Sequence, residues 1–214
     1  LVGLNGAGKT SLIKLILRMY DPTQGKILVN GVDLKKLDLV SWYDNLGVLL
    51  QDFSKYEFLS IKDSIKLFAK TQIVDDEIHN LLKKVRADSI TASSEAGLDL
   101  MQSSEYGGKE LSGGQFQKIA IARTLSRNAN FVILDEPASA IDALSEEAIF
   151  ETLNMLPVNS TLLFISHRFT TIRNANHIIV LNNGKVEEEG NHQKLMNHKG
   201  LYAQMYRSQV LGEK

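Results

Sequence analysis

A glycine-rich run near the start of the chain constrains the fold more than any other stretch: Gly3-Leu4-Asn5-Gly6-Ala7-Gly8-Lys9-Thr10 fits G-x-x-x-x-G-K-[ST]. Leu1 and Val2 stand ahead of it as the remnant of an apolar strand, and Leu12, Ile13, Leu15, Ile16 and Met19 recur behind it at helical spacing. Strand, glycine loop and helix in that order form a unit whose backbone wraps an anion. Glycines let the main chain turn its N–H groups inward, and the positive end of the helix adds its field to them. The pattern predicts a nucleotide phosphate site in which Asn5, Gly6, Ala7 and Gly8 form the cradle. Lys9 reaches the β- and γ-phosphates, Thr10 ligates Mg²⁺ and Ser11 touches the α-phosphate. A plain glycine turn at a helix start is the alternative, and the flanking strand and helix weigh against it.

Farther along, a helix over Lys9 to Tyr20 is ended by Asp21-Pro22, and Lys26 to Asn30 reads as a short strand turned at Asn30-Gly31. Leu46 to Leu50 is a continuous apolar run, hence a buried strand. From about Leu59 to Tyr106 the texture becomes amphipathic and helical. After Gly114, helix Gln115 to Ser126, strand Asn130 to Leu134, helix Asp142 to Leu156 and strands Thr161 to Ile165 and Ile178 to Leu181 follow in turn. Asn182-Asn183-Gly184 turns the chain into Lys185 to Glu188, and two short helices close it. Short apolar strands alternating with helices imply parallel pairing and an α/β fold. Residues 1–58 and 112–214 are expected to form the α/β core, with 59–111 an inserted helical subdomain.

Composition excludes several classes. A net charge of -1 shows no nucleic-acid footprint, and the absence of cysteine excludes disulfides and thiolate metal sites. Apolar runs such as Phe131 to Leu134 fall far short of the roughly 20 residues that span a bilayer, so a membrane role must come through a partner.

Two further constellations complete the chemistry. Phe131-Val-Ile-Leu-Asp135-Glu136 sets two carboxylates at the end of a buried strand, where open α/β sheets place their ligands. Asp135 is expected to orient Mg²⁺ and Glu136 to activate the attacking water as general base. Leu111-Ser112-Gly113-Gly114-Gln115 opens a helix with Ser112 as its N-cap, so that a second anion can meet the backbone at Gly114. A capped helix with no ligand fits those residues equally well on physical grounds.

That stretch, LSGGQ, continued by Ala120-Ile-Ala-Arg123, resembles the signature of the ABC ATPase superfamily. The resemblance implies a P-loop NTPase (RecA-like) core with a parallel sheet and an inserted α-helical subdomain, and an ATPase using ATP and Mg²⁺. It gives Gln51, after the apolar run Leu46 to Leu50, the role of the Q-loop glutamine at the metal or the water. Ser139-Ala140-Ile141-Asp142 resembles the D-loop, so Asp142 joins the nucleotide site, and His167 matches the histidine that contacts the γ-phosphate. In this family the lysine loop of one cassette faces the signature of another, so the implied partner is a second cassette, in a homodimer or heterodimer. ATP then acts as the adhesive and hydrolysis as the release.

Two features are similar to exporter cassettes. Glu105-Tyr106-Gly107-Gly108 resembles the exporter x-loop, although Ser103-Ser104 departs from it, and Gly184 to Leu195 with Gly200-Leu201-Tyr202 resembles the exporter C-terminal segment. The abrupt start fits a cassette cut from a longer polypeptide whose transmembrane domain is fused upstream, at the cytoplasmic face of the cell membrane. The aromatic residue on which the family stacks adenine, roughly 25 residues before the lysine loop, would then lie outside this sequence, and the chain alone is expected to bind ATP weakly and be inactive. An importer ATPase is the nearest alternative. Chromosome-maintenance ATPases insert long heptad arms, and translation-associated ones carry two cassettes; neither pattern is present. Tyr56, Glu57 and Phe58 are open to contact with the membrane partner or to simple surface packing.

Overall fold

The computed structural model describes residues 1–212. In chain order its elements are β1 (Val2–Gly3), α1 (Lys9–Ile16), β2 (Leu28–Val29), β3 (Val32–Asp33), α2 (Leu39–Asp44), β4 (Leu46–Leu49), α3 (Ile61–Lys66), α4 (Asp75–Lys84) and α5 (Asp88–Ala92). They continue with α6 (Gly113–Ser126), β5 (Phe131–Asp135), α7 (Ala143–Asn154), β6 (Thr161–Ile165), α8 (Phe169–Ile172), β7 (Ile178–Asn182), β8 (Lys185–Gly190), α9 (His192–His198) and α10 (Leu201–Tyr206). The chain divides into two compact units, one of Leu1–Tyr43 with Phe164–Lys214 and one of Asp44–Leu163.

In the first unit β1 pairs parallel with β7, and β8 folds back antiparallel on β7 through the Asn183-Gly184 turn, giving the order β1-β7-β8. Its core gathers Val2, Val180 and Ile178 from the sheet with Phe169 and Ile172 of α8, Leu195 of α9 and Tyr202 of α10. Phe169 meets Tyr202 and Tyr206 edge-on at 5.5 and 5.9 Å between ring centroids. The β2-β3 hairpin turns at Asn30 and Gly31, both at positive φ, as the dipeptide predicts.

Helix α1 ends four residues before the predicted Tyr20. Arg18 takes a left-handed conformation at φ 54°, and Met19 N–H bonds back to Lys14 O at 2.9 Å, a C-terminal cap that usually calls for glycine. The arginine is held there by its own side chain, which donates to Leu37 O at 2.9 Å and Lys35 O at 3.0 Å. Tertiary bonds of this kind leave no local mark in the sequence.

In the second unit β4 and β5 are parallel, with Leu46 opposite Phe131 and Leu49 opposite Leu134, in a sheet ordered β4-β5-β6. Helix α6 is buried over most of its length, from Phe116 to Thr124, because it packs on β4, α3 and α4. Those contacts draw β4, β5 and the helical segment into one compact unit, whereas the sequence pattern sets the helical part off at 59–111.

Candidate active site

The first unit carries the lysine loop. Gly3 closes β1 so tightly against β7 that a Cβ at this position would stand 2.4 Å from Leu181 O, a backbone atom of the paired strand. Ala7 N–H bonds to Leu4 O at 3.1 Å, and Gly184, from the β7-β8 turn, donates to Ala7 O at 3.0 Å. The loop is thereby braced from the sheet. Gly8 is the N-cap of α1 and supplies no side-chain cap, so the first turn of the helix keeps its N–H groups for an anion. Lys9 is only 8% exposed, and its ammonium donates to Gly3 O at 2.8 Å and Leu4 O at 3.2 Å, which sets the charge inside the loop. Asn5, Gly6, Thr10 and Ser11 are exposed around it. His167 is exposed between β6 and α8, where Ser166 Oγ accepts from Arg168 N–H at 2.9 Å.

Gly3→Ala should destabilise the fold by about 1–3 kcal/mol, because backbone rather than a side chain must give way. An unfolding midpoint lower by about 2–10 °C is expected, and a midpoint unchanged within a degree would place Leu181 O farther off.

The second unit carries the carboxylates and the LSGGQ segment. Asp135 closes β5 and is 3% exposed, while Glu136, the next residue, is half-buried. Glu136 lies at φ 51°, a left-handed conformation that is unusual for a non-glycine residue and more so before a proline. Strain of about 1–3 kcal/mol persists only where neighbours enforce it, and such sites cluster at functional positions. Gln51 is exposed just beyond β4. Ser112 caps α6 as predicted: its Oγ accepts from Gln115 N–H at 3.3 Å, and Gln115 Oε1 accepts from Ser112 N–H at 2.9 Å, a reciprocal capping box. Gly114 follows, half-exposed, in the first turn.

Asp142 serves as N-cap of α7. Hydrogen bonds from Ser145, with Lys118 Nζ at 3.3 Å as a further partner, hold its carboxyl well below the usual carboxylate range. Arg123 grips the segment after Gln51: its guanidinium lies 4.5 Å from the Tyr56 ring centroid and donates to Ser54 O at 3.1 Å and Ser64 Oγ at 3.3 Å. Phe58 stays 56% exposed beside it.

The donor set suits Mg²⁺ carried in with a nucleotide. No group of three or more His, Asp or Glu among the described residues would cage a metal by itself. Mg²⁺ characteristically needs only one or two protein oxygens, with phosphates and water completing its shell; the Thr10 hydroxyl in the first unit and the Asp135 carboxylate in the second are each an oxygen donor of that kind.

Residues 1–139 match the model of the family described as ABC transporter. The chain belongs to the ABC transporter family. Among relatives of this ABC chain, the subtilin transport ATP-binding protein SpaT of Bacillus subtilis is 37% identical over 98% of this chain and 34% of its own length. The ATP-dependent lipid A-core flippase of Sodalis glossinidius is 38% identical over 98% of this chain and 35% of its own. The solved structure of a bacterial Atm1-family ABC exporter with ATP bound superposes with a TM-score of 0.89 at 32% identity, covering 97% of this chain and 36% of the other. The fold is therefore the P-loop NTPase fold of ABC ATPases. The ABC chain spans between 16% and 35% of the length of such curated relatives. No helix among its described residues is long and apolar enough to cross a membrane.

Three parts of this ABC cassette lay beyond the sequence motifs: the Gly184 brace on Ala7, the reach of Gln115 back to Ser112, and a buried Gln117 that bonds to the segment after β5. The first joins residues far apart in the chain. The second was legible in principle, since Ser followed three residues later by Gln marks a capping box.

Proposed function

We propose that this chain is the ATP-binding and ATP-hydrolysing cassette of an ABC exporter, working head-to-tail with a second cassette to drive a transmembrane domain from the cytoplasmic face of the membrane. The observation that carries the reading is the lysine loop: a buried ammonium held inside a braced loop, at a helix start with no side-chain cap. The loop N–H groups and Lys9 receive the β- and γ-phosphates. Thr10, Asp135 and Gln51 are the residues that would hold Mg²⁺, which would neutralise phosphate charge. Ser112 and Gly114 of the partner cassette complete the site, with Asp142 of the D-loop near the shared boundary.

Glu136 takes a proton from water as the water oxygen bonds to the γ-phosphorus. The bond from that phosphorus to the β,γ-bridging oxygen breaks, leaving ADP and inorganic phosphate, and His167 steadies the γ-phosphate oxygens. Donors preorganised around the developing charge, in a site closed to water, lower the barrier. Export rather than import is supported by the lipid A-core flippase and the Atm1-family exporter among similar proteins, and by the Glu105 to Gly108 segment. The intact protein in proteoliposomes should hydrolyse MgATP and pair its cassettes only with nucleotide present. Absence of both activities in a folded sample would reject the reading, and inward transport would replace export by import.

A further inference from the structure

Gln117 lies on α6 just beyond the LSGGQ segment, is 2% exposed, and directs its whole amide at the segment that follows β5. Its Nε2 donates to Glu136 O at 3.2 Å and to Ser139 Oγ at 3.0 Å, and its Oε1 accepts from Ala140 N–H at 2.9 Å. A primary amide offers two N–H donors and one carbonyl, and all of them are engaged here. The same helix approaches the same segment at its start, where a Cβ on Gly114 would stand 2.6 Å from Ala140 O. Only a residue without a side chain lets those backbones come so close.

Glu136 makes this arrangement more than packing. Its left-handed backbone precedes Pro137 and must be held by its surroundings, and the Gln117 amide holds its carbonyl oxygen. One side chain therefore ties together the residue with the strained backbone, the two residues after Pro137-Ala138, and the helix whose N-terminus is the signature.

Resting on the reading that this chain hydrolyses ATP in a pair of cassettes, we propose that Gln117 is a positioning residue. It fastens the Glu136 to Ala140 segment to the signature end of α6, so that the carboxylate acting on one nucleotide and the signature presented to the other shift as one body. In a head-to-tail pair these two parts of one chain serve different ATP molecules. A rigid link between them passes the state of one site to the other without a contact between the nucleotides.

The test compares Gln117→Leu, close in shape but without hydrogen bonds, with the unaltered intact protein. Turnover should fall about tenfold or more with KM for MgATP within about threefold, since a buried hydrogen-bonded group acts here on the base and not on the phosphate cradle. Amide hydrogen exchange should quicken in peptides covering 136–142 while the lysine-loop helix exchanges as before. Unchanged exchange at 136–142, or a general rise across the whole chain with kcat and stability falling together, would overturn the proposal. If the leucine variant does not fold, Gln117→Glu carries the test, because it keeps the acceptor for Ala140 and loses both donors to Glu136 and Ser139. An unaltered protein without ATPase activity would reject the functional reading, while exchange at 136–142 would still decide whether Gln117 fastens that segment.

Discussion

Glu136→Gln in the intact protein should lower ATP turnover by about a hundred- to ten-thousandfold while ATP binding and ATP-driven pairing of cassettes persist. The amide is nearly isosteric with the carboxylate and keeps an oxygen acceptor, so water can still be oriented. It cannot take the proton, and that step carries the loss. Because the left-handed backbone at Glu136 is held through its carbonyl by Gln117, the substitution leaves that geometry in place. Binding rests on the lysine loop, which the change does not touch. Single-turnover measurements with radiolabelled ATP, alongside size-exclusion of the nucleotide-loaded protein, separate the two effects. Turnover within tenfold of the unaltered protein would move the base to another group and leave Glu136 as a residue that only closes the strand.

Much of this arrangement is legible in the sequence because each motif is a short local solution to a physical problem. Lys9 follows glycines, Ser112 precedes a helix, and Asp135 and Glu136 follow an apolar run. Each pattern names its own strand, loop or helix, and β5, α6 and the Asn30-Gly31 turn appear where those patterns place them. What stays hidden is long-range. Arg18 caps α1 in place of a glycine only because Leu37 and Lys35 accept from its guanidinium. Arg123, which in the sequence merely extends the signature, clamps the segment after Gln51 through Tyr56 and Ser54. Gln117 sits among buried apolar residues of α6 with no period to set it apart. Its meaning comes from Glu136, Ser139 and Ala140, which only folding brings alongside. Side chains whose partners lie across the fold are read from geometry, whereas those that act on their own turn are read from spacing.

Lys9→Ala should weaken ATP binding by about a hundredfold or more, since charge-assisted bonds to phosphate each contribute about 1.5–3 kcal/mol and the proposed role of the ammonium is to span two phosphates. The side chain is already seated, 2.8 Å from Gly3 O and 3.2 Å from Leu4 O, so the unaltered protein loses little side-chain freedom on binding. Truncation removes that preorganised charge, and it also removes a tie between the end of β1 and the loop. Lys9→Arg should not rescue it: the planar guanidinium is broader than the ammonium that sits 2.8 Å from Gly3 O and 3.2 Å from Leu4 O. Calorimetric titration of the intact protein with ATP, ADP and AMP distinguishes lost charge from a collapsed loop. A charge effect follows the phosphates Lys9 reaches, so affinity falls most for ATP, less for ADP and hardly at all for AMP. Equal losses for all three nucleotides would mean that the loop itself had given way, and an ATP affinity within threefold of the unaltered protein would remove Lys9 from the site.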